Sequence, residues 1–513
     1  MTSDLVGPPP APVAEPPMAD VPGTPERNDR ERGAVLILGA AVLLVLMGMA
    51  AFAIDLGWYY FNQVRTQKAA EAAALAGVVH MPKPSSVPFN ASEAYTVALD
   101  VASRQGFVND GITTVTPLPV VNGDNRLRVE IDTTIDTFFM RLFGRDTLPI
   151  GKQATAEQLP PLKLGSDQPF LGGTGVDYWV SVNGEREAKQ NGDPYSTRCI
   201  LANCGGTTNA EYLNGRPSGS PAYYYAVDVP DAEIGRNLQV EIYDGPHNAA
   251  RGKTESDAGN PDATGDRGNN DITIQFRLKA PDQTPNDPTT PVNPIGGCTR
   301  TFTRVPDTDP GIQAWEPVCA SAVPAVKGIY VLEVYVGGSR PNISDFAIRV
   351  TMNGDPANTA AVYGIGAMSL DMVVDSSNPI FKIVKLEEFY KGNDLILSLF
   401  DPGDVTGAAD LTFLGEMAGI ECEVRITREN GSVEGWKADD SPGSAPCYLR
   451  TSAPGNSKIY NADWVEFRFK VPDTYTCSAT YNCWVLVNYD LSDPSERTTW
   501  AARVDGQPIH LLP

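Results

Sequence analysis

Three histidines, His80, His247 and His510, are scattered through a chain of 513 residues. That number is too small for a multi-histidine metal site, and it leaves histidine-based acid–base schemes without partners. No Gly-x-Ser-x-Gly sequence supplies a nucleophile elbow. The Gly-Lys pair in GRDTLPIGKQ has its earlier glycine misplaced, and Gln153 stands where a phosphate-binding loop needs Ser or Thr. The 63 acidic residues include no pair whose spacing singles it out. The chain is therefore expected to be a non-enzyme without an organic cofactor. A hard cation is the remaining candidate. Asp257, Asp262, Asp266 and Asp271 lie in the glycine-rich stretch KTESDAGNPDATGDRGNNDITI, and Asp401 and Asp404 lie in FDPGD. Oxygen-rich turns of this kind suit Ca²⁺, although the EF-hand spacing is absent and a solvated acidic loop with Asx turns has the same composition. Tyr178, Trp179, Tyr223, Tyr224 and Tyr225 offer stacking faces for a surface glycan. In strands, however, neighbours alternate between faces, so some of these rings must point into a core.

The eight cysteines are Cys199, Cys204, Cys298, Cys319, Cys422, Cys447, Cys477 and Cys483. An even number confined to one part of the chain implies disulfides in an oxidising compartment. Neighbouring partners (199–204, 298–319, 422–447, 477–483) are the expected pairing. Buried free thiols and a zinc site are the alternatives, the latter without a Cys-x-x-Cys pair. The formal net charge of −23 provides no basic footprint, so nucleic acid is excluded as a partner.

These residues are carried on an organised chain. Residues 1–32 are proline-rich and read as a disordered cytoplasmic tail. Residues 33–54, GAVLILGAAVLLVLMGMAAFAI, contain no charge. As a helix they span about 33 Å, enough for a bilayer core. Arg27, Arg30 and Arg32 precede the run, and Arg65 and Lys68 follow it. This bias is too even to orient the span, so the cysteines orient it. The N-terminus is cytoplasmic, and the bulk is extracellular or periplasmic behind a single-pass cell-membrane anchor. A cleaved signal peptide ending near Ala51-Phe52-Ala53 is the rival, but the apolar run exceeds the about 7–15 residues of such segments.

Residues 55–160 read as a helical extension followed by a small α+β module. The helix is predicted to continue to Val79, with Ala69, Ala73 and Gly77 on one small-residue ridge that a neighbouring helix can approach closely. Alanine's helix propensity alone accounts for the same composition. A second helix is predicted in FNASEAYTVALDVASRQGF, capped by Asn90 and stopped at Gly106, with Ala94, Val97, Ala98 and Val101 on its apolar face. TTVTPLPVV and RLRVEIDTTI form a hairpin about NGDN, with Leu127, Val129 and Ile131 on one face. DTFFMRLFG reads as a short helix, 147–156 as a strand, and EQLPPLKLGSDQP as a linker.

RGAVLILGAAVLLVLMGMAAFAIDLGWYYFNQVRTQKAAEAAALAG resembles the N-terminal segment of TadG-like proteins of the Tad (Flp) pilus apparatus. The shared features are Arg32-Gly33 before the apolar run, the exit Asp55-Leu56-Gly57, the aromatics Tyr59 and Tyr60, and the alanine-rich ending from Gln67 to Gly77. Thr137 to Gly144, TFFMRLFG, is also similar to Tad E/G-like sequences. The resemblance covers residues 30–160. It implies that the extended helix is an assembly element that packs against other pilus or secretion subunits. Two features depart from related patterns. The position five residues after Gly33 is Leu38, not the glutamate of prepilins. In DMVVDSSNP, Pro379 stands where a von Willebrand A metal motif has its second serine.

The remaining chain alternates apolar and polar residues between Gly/Pro/Asp-rich turns and is predicted to be mainly β. IGRNLQVEIYD (234–244) matches KGNDLILSLFD (391–401). GIYVLEVYV with DFAIRV then parallels NCWVLVNYD with TWAARV, in the same order and at nearly the same offset. Two tandem β-sandwich, jelly-roll-like domains, 166–355 and 356–513, are expected to project outward as contact modules. One large two-sheet domain is the alternative, and a membrane-anchored glycan- or Ca²⁺-dependent adhesin is the alternative function.

Overall fold

The computed structural model describes residues 29–120, 123–173, 178–183, 192–195, 221–244, 272–284, 287–289, 293–304, 314–338, 343–373, 380–402, 409–438, 447–452, 459–491, 495–506 and 509–512, with the single positions 176 and 189. The chain divides into two compact units: residues 1–64 with 134–150, and residues 65–133 with 151–513.

Helix α1, Asp29–Val78, is 50 residues long. It holds the apolar run and continues without a break through the alanine-rich segment. Val78 ends it shortly before Pro82 and Pro84, which lack the amide a helix needs. Helix α2, Glu93–Arg104, is capped by Ser92, whose Oγ accepts from the Tyr95 amide at 3.3 Å. The expected cap, Asn90, instead lies in the 3₁₀ turn Phe89–Ala91 that leads into the helix. Ser92 wins because the preceding turn leaves it, not Asn90, in extended backbone. Gly106 takes φ +90° just past the helix end, as expected of a left-handed stop.

The hairpin strands Thr114–Val120 and Gly123–Asp136 are antiparallel, and a four-stranded sheet continues through Thr147–Gln158 to Ile509–Leu512. The last strand pairs Ile509 with Gln158 and Leu512 with Thr155. Leu127, Val129 and Ile131 are fully buried together, as their alternation predicts. They pack against the alanines of α1 and α2 in one small core.

The β region is two large sheets facing each other. The ten-stranded sheet runs Pro294–Arg304, Ile272–Lys279, Gly328–Gly338, Tyr223–Val229, Ala361–Gly364, Lys163–Leu164, Ile380–Lys385, Trp484–Leu491, Ala409–Gly415, Tyr448–Ser452. The twelve-stranded sheet runs Trp315–Pro317, Asn237–Asp244, Ile343–Met352, Tyr178–Asn183, Ala367–Val373, Ser495–Asp505, Asp394–Phe400, Trp464–Lys470, Cys422–Thr427, Lys437–Ala438, with Phe170–Leu171 and Val323–Pro324 attached beside this path. Rings from both sheets interleave between them: Phe413 lies 4.8 Å from Phe467, and Tyr225 lies 6.3 Å from Phe346.

The two repeats are visible as matching halves of these sheets. The 3₁₀ turn Asp231–Glu233, Gly235 at φ +81° and the strand Asn237–Asp244 correspond to Glu388–Tyr390, Gly392 at φ +78° and Asp394–Phe400. The halves are not laid side by side as separate sandwiches, because each lends its leading strand to the other. Lys163–Leu164, which opens the first repeat, pairs with Ile380–Lys385 of the second. Ala361–Gly364, which opens the second, pairs with Tyr223–Val229 of the first. The leading strands also meet at Gly364 and Leu164. In the other sheet, Leu370 pairs with Val180 across the same seam. Both sheets are thus continuous, and one core runs from Leu159 to Trp500.

Equivalent positions of the repeats hold these incoming strands by different chemistry. Buried Glu233 accepts from the Thr359 amide and hydroxyl at 2.8 and 2.7 Å. Tyr390, 157 residues later by the repeat offset, donates its hydroxyl to the Pro160 carbonyl. The stretch EQLPPLKLGSDQP is therefore not a linker. Leu159, Leu162 and Leu164 are buried in the large core, because apolar side chains at these positions gain more from burial than a solvated connector does. Arg497 adds a buried ionic tie, pairing with Asp371 on the adjacent strand and with Asp345 at 3.0 Å on Ile343–Met352, beyond Tyr178–Asn183.

Candidate functional site at the N-terminal segment

Within the first unit, Val35, Leu36, Leu38, Leu44 and Val45 of α1 are each more than 60% exposed. A helix that presents apolar side chains all round has no core of its own and is long enough to cross a membrane. Asp55 is the first charged residue after this run, yet its side chain is buried. Its Oδ1 accepts from the Phe138 amide at 2.8 Å, and its Oδ2 from the Phe139 and Met140 amides at 2.9 and 2.6 Å. These are the amides that open the 3₁₀ turn Met140–Phe143 and have no partner inside it. A carboxylate there makes charge-assisted bonds of the N-cap type. The Trp58 ring adds an edge contact to Phe138 at 5.7 Å.

The loop is closed on itself as well. The Thr137 amide donates to the Asp146 carbonyl at 3.0 Å, and the Arg141 Nε donates to the Thr137 carbonyl at 2.9 Å. Gly144 at φ +77° ends the turn. The exit Asp55-Leu56-Gly57 and the TFFMRLFG run, 83 residues apart, are therefore one structural piece. The expected helix for DTFFMRLFG is only this short turn. Sequence reasoning missed the role of Asp55, although a signal existed: it is the sole acidic residue between Arg32 and Glu71.

Within the second unit, the ridge of Ala69, Ala73 and Gly77 is filled. Ala69 and Ala73 have no exposed surface, nor do Ala70, Ala74 and Val78 beside them, whereas Ala72 and Ala76 are half-buried. A side chain at Gly77 would meet Leu127 Cδ2, the Ala94 carbonyl at 2.7 Å and Ala98 Cβ at 3.1 Å. The close-packing neighbours at this ridge are thus α2 and the sheet of the same chain. On α2 the buried row is Ala94, Ala98 and Ala102. Also within this unit, Arg65 Nη2 donates to the Gln105 carbonyl at 3.0 Å.

The other candidates are dispersed. Disulfides join Cys298 to Cys319, Cys422 to Cys447 and Cys477 to Cys483. Cys199 and Cys204 lie outside the described residues, as do Asp257, Asp262, Asp266, Asp271 and Asp404. Asp401 is buried, at φ +56°, and its oxygens accept from the Ala462 amide at 2.6 Å and the Gly192 amide at 3.1 Å. It binds backbone as a turn-forming acceptor. Among the described residues, one group has metal-ligand proximity, Glu387 with Cys477 and Cys483, but those two sulfurs are bonded to each other. Tyr178, Trp179, Tyr223 and Tyr225 are buried, and Tyr224 is half-buried. Tyr178, Tyr223 and Tyr225 belong to the core between the sheets, whereas Trp179 packs against Tyr243 and Tyr224 against the small cluster around Tyr363.

Residues 33–80 match the family model described as Flp pilus-assembly TadE/G-like (Tad). The match includes the apolar run, Asp55 and the alanine ridge. The TFFMRLFG turn and the double sandwich lie beyond it. No curated protein sequence matches the chain.

Proposed function

We propose that this chain is a structural, membrane-anchored component of a Tad/Flp-type pilus or a related surface secretion apparatus, and not an enzyme. The TadE/G-like match at residues 33–80 carries this reading. It coincides with a helix apolar enough to span a bilayer, so a pilus-related role and a membrane setting rest on the same residues. Three disulfides suit an oxidising compartment and support an outward-facing β region with the N-terminus in the cytoplasm. The fused sandwich then acts as a contact module for other subunits of the apparatus. Electron microscopy of a deletion strain, with and without the full chain restored, tests this. Loss of surface pili and their recovery with the full chain is expected. Normal piliation without the protein would refute it. A maleimide that cannot cross the membrane tests orientation: it should label a cysteine introduced at Ile380 in intact cells or spheroplasts and spare one at residue 20.

A further inference from the structure

The turn held by Asp55 carries an unusual surface. Within the first unit, Phe138, Phe139, Leu142 and Phe143 are 49, 37, 78 and 86% exposed. Four large apolar side chains within six residues are exposed on one loop. Arg141 lies among them and Arg145 follows them, and both are exposed too. Three hydrogen bonds donated by loop amides to Asp55 place the loop backbone beside the residue that directly follows Ile54, the last of the uncharged run. On the same stretch of α1, Tyr60 and Phe61 are 67 and 56% exposed.

We propose that the Thr137–Gly144 loop is a second membrane contact: it inserts Leu142 and Phe143 into the lipid interface while Arg141 and Arg145 meet headgroup phosphates. The occupant is the bilayer because the patch is tied to α1 by Asp55 and by the Trp58–Phe138 ring contact, and this latch lies directly after the uncharged run, where a spanning helix leaves the hydrocarbon. Phenylalanine and leucine gain from the acyl boundary, and arginine gains from anionic headgroups. Asp55 has a positioning role. It makes the loop rigid at that depth by satisfying the three amides, which would otherwise face a poorly hydrated region. The inference rests on α1 residues 33–54 spanning the membrane, and the test separates the two claims.

The full chain is reconstituted into phosphatidylethanolamine/phosphatidylglycerol vesicles, with an environment-sensitive NBD dye on a single introduced cysteine. Position 142 is the test (L142C). V45C reports the span, and I380C, at a 54% exposed position of the β region, reports water. The expected result is blue-shifted emission, quenching by doxyl lipid and loss of iodide quenching at positions 142 and 45, with the reverse at 380. If 45 is in lipid while 142 behaves like 380, the loop inference is overturned and the anchor stands. If 142 is shielded from iodide but untouched by doxyl lipid, a protein surface covers the loop, which also overturns it. If 45 itself is aqueous, the anchor fails, and the inference fails with it.

Discussion

Replacing Gly77 by alanine sets two effects against each other whose sizes are known. Alanine is the better helix former by about 1 kcal/mol. The added methyl has no room. It would lie 2.7 Å from the Ala94 carbonyl and 3.1 Å from Ala98 Cβ, with Leu127 Cδ2 closer still. Leu127 is itself fully buried, and the Ala94 oxygen is helix backbone, so α2 must move away from α1. Overpacking of this kind costs about 1–3 kcal/mol, and more where backbone has to shift. The net expectation is a loss of about 1–2 kcal/mol, which makes the open state of the module roughly 5- to 30-fold more populated. Hydrogen exchange of the α2 amides in the detergent-solubilised full chain reads this directly, since opening that exposes them should quicken by that factor. Gly57→Ala is the matched control, because a methyl there meets nothing within 4 Å. It should leave exchange in α2 unchanged. If Gly77→Ala protects α2 as well as the native residue does, propensity has won and the close-approach argument is wrong.

Ala73→Leu should lower the stability of the module itself, because the ridge it sits on is already packed within the chain; thermal unfolding followed by circular dichroism checks this, and an unchanged midpoint would return the ridge to a partner. Burial pushes the Glu233 carboxyl up, but the Thr359 bonds and Arg236 pull it down by more, so its pKa is lowered on folding. Its contribution is then fully present above the unfolded value of about 4.3 and fades as pH falls through the lower folded value. A denaturation series from pH 6 to pH 3 should show a steeper acid loss in the native chain than in Glu233→Gln. Replacing Cys422 and Cys447 with serine should cost about 2–5 kcal/mol by freeing the 25-residue separation that the disulfide closes. A denaturant midpoint equal to that of the native protein would show that the bridge is dispensable.

The apolar run from 33 to 54, the helix beyond it, the hairpin with Leu127, Val129 and Ile131 inward, and the turn-matched repeats were all legible in the order of residues. Each depends on periodicity and local turn chemistry, which act over a few residues. The three described disulfides joined nearest neighbours for the same reason: short loops keep their ends close. Tertiary structure alone decided which surfaces these local elements chose. Alanine at four-residue spacing specifies that something comes close, not that it is α2 of the same chain. Two similar repeats specify two similar halves, not that Lys163–Leu164 and Ala361–Gly364 trade places and fuse the sheets. Asp55 and Phe138 are 83 residues apart, and no periodicity links them. A buried carboxylate must find donors, and the open amides of a 3₁₀ turn must find an acceptor. That mutual need is satisfied only when the folded chain brings the two together.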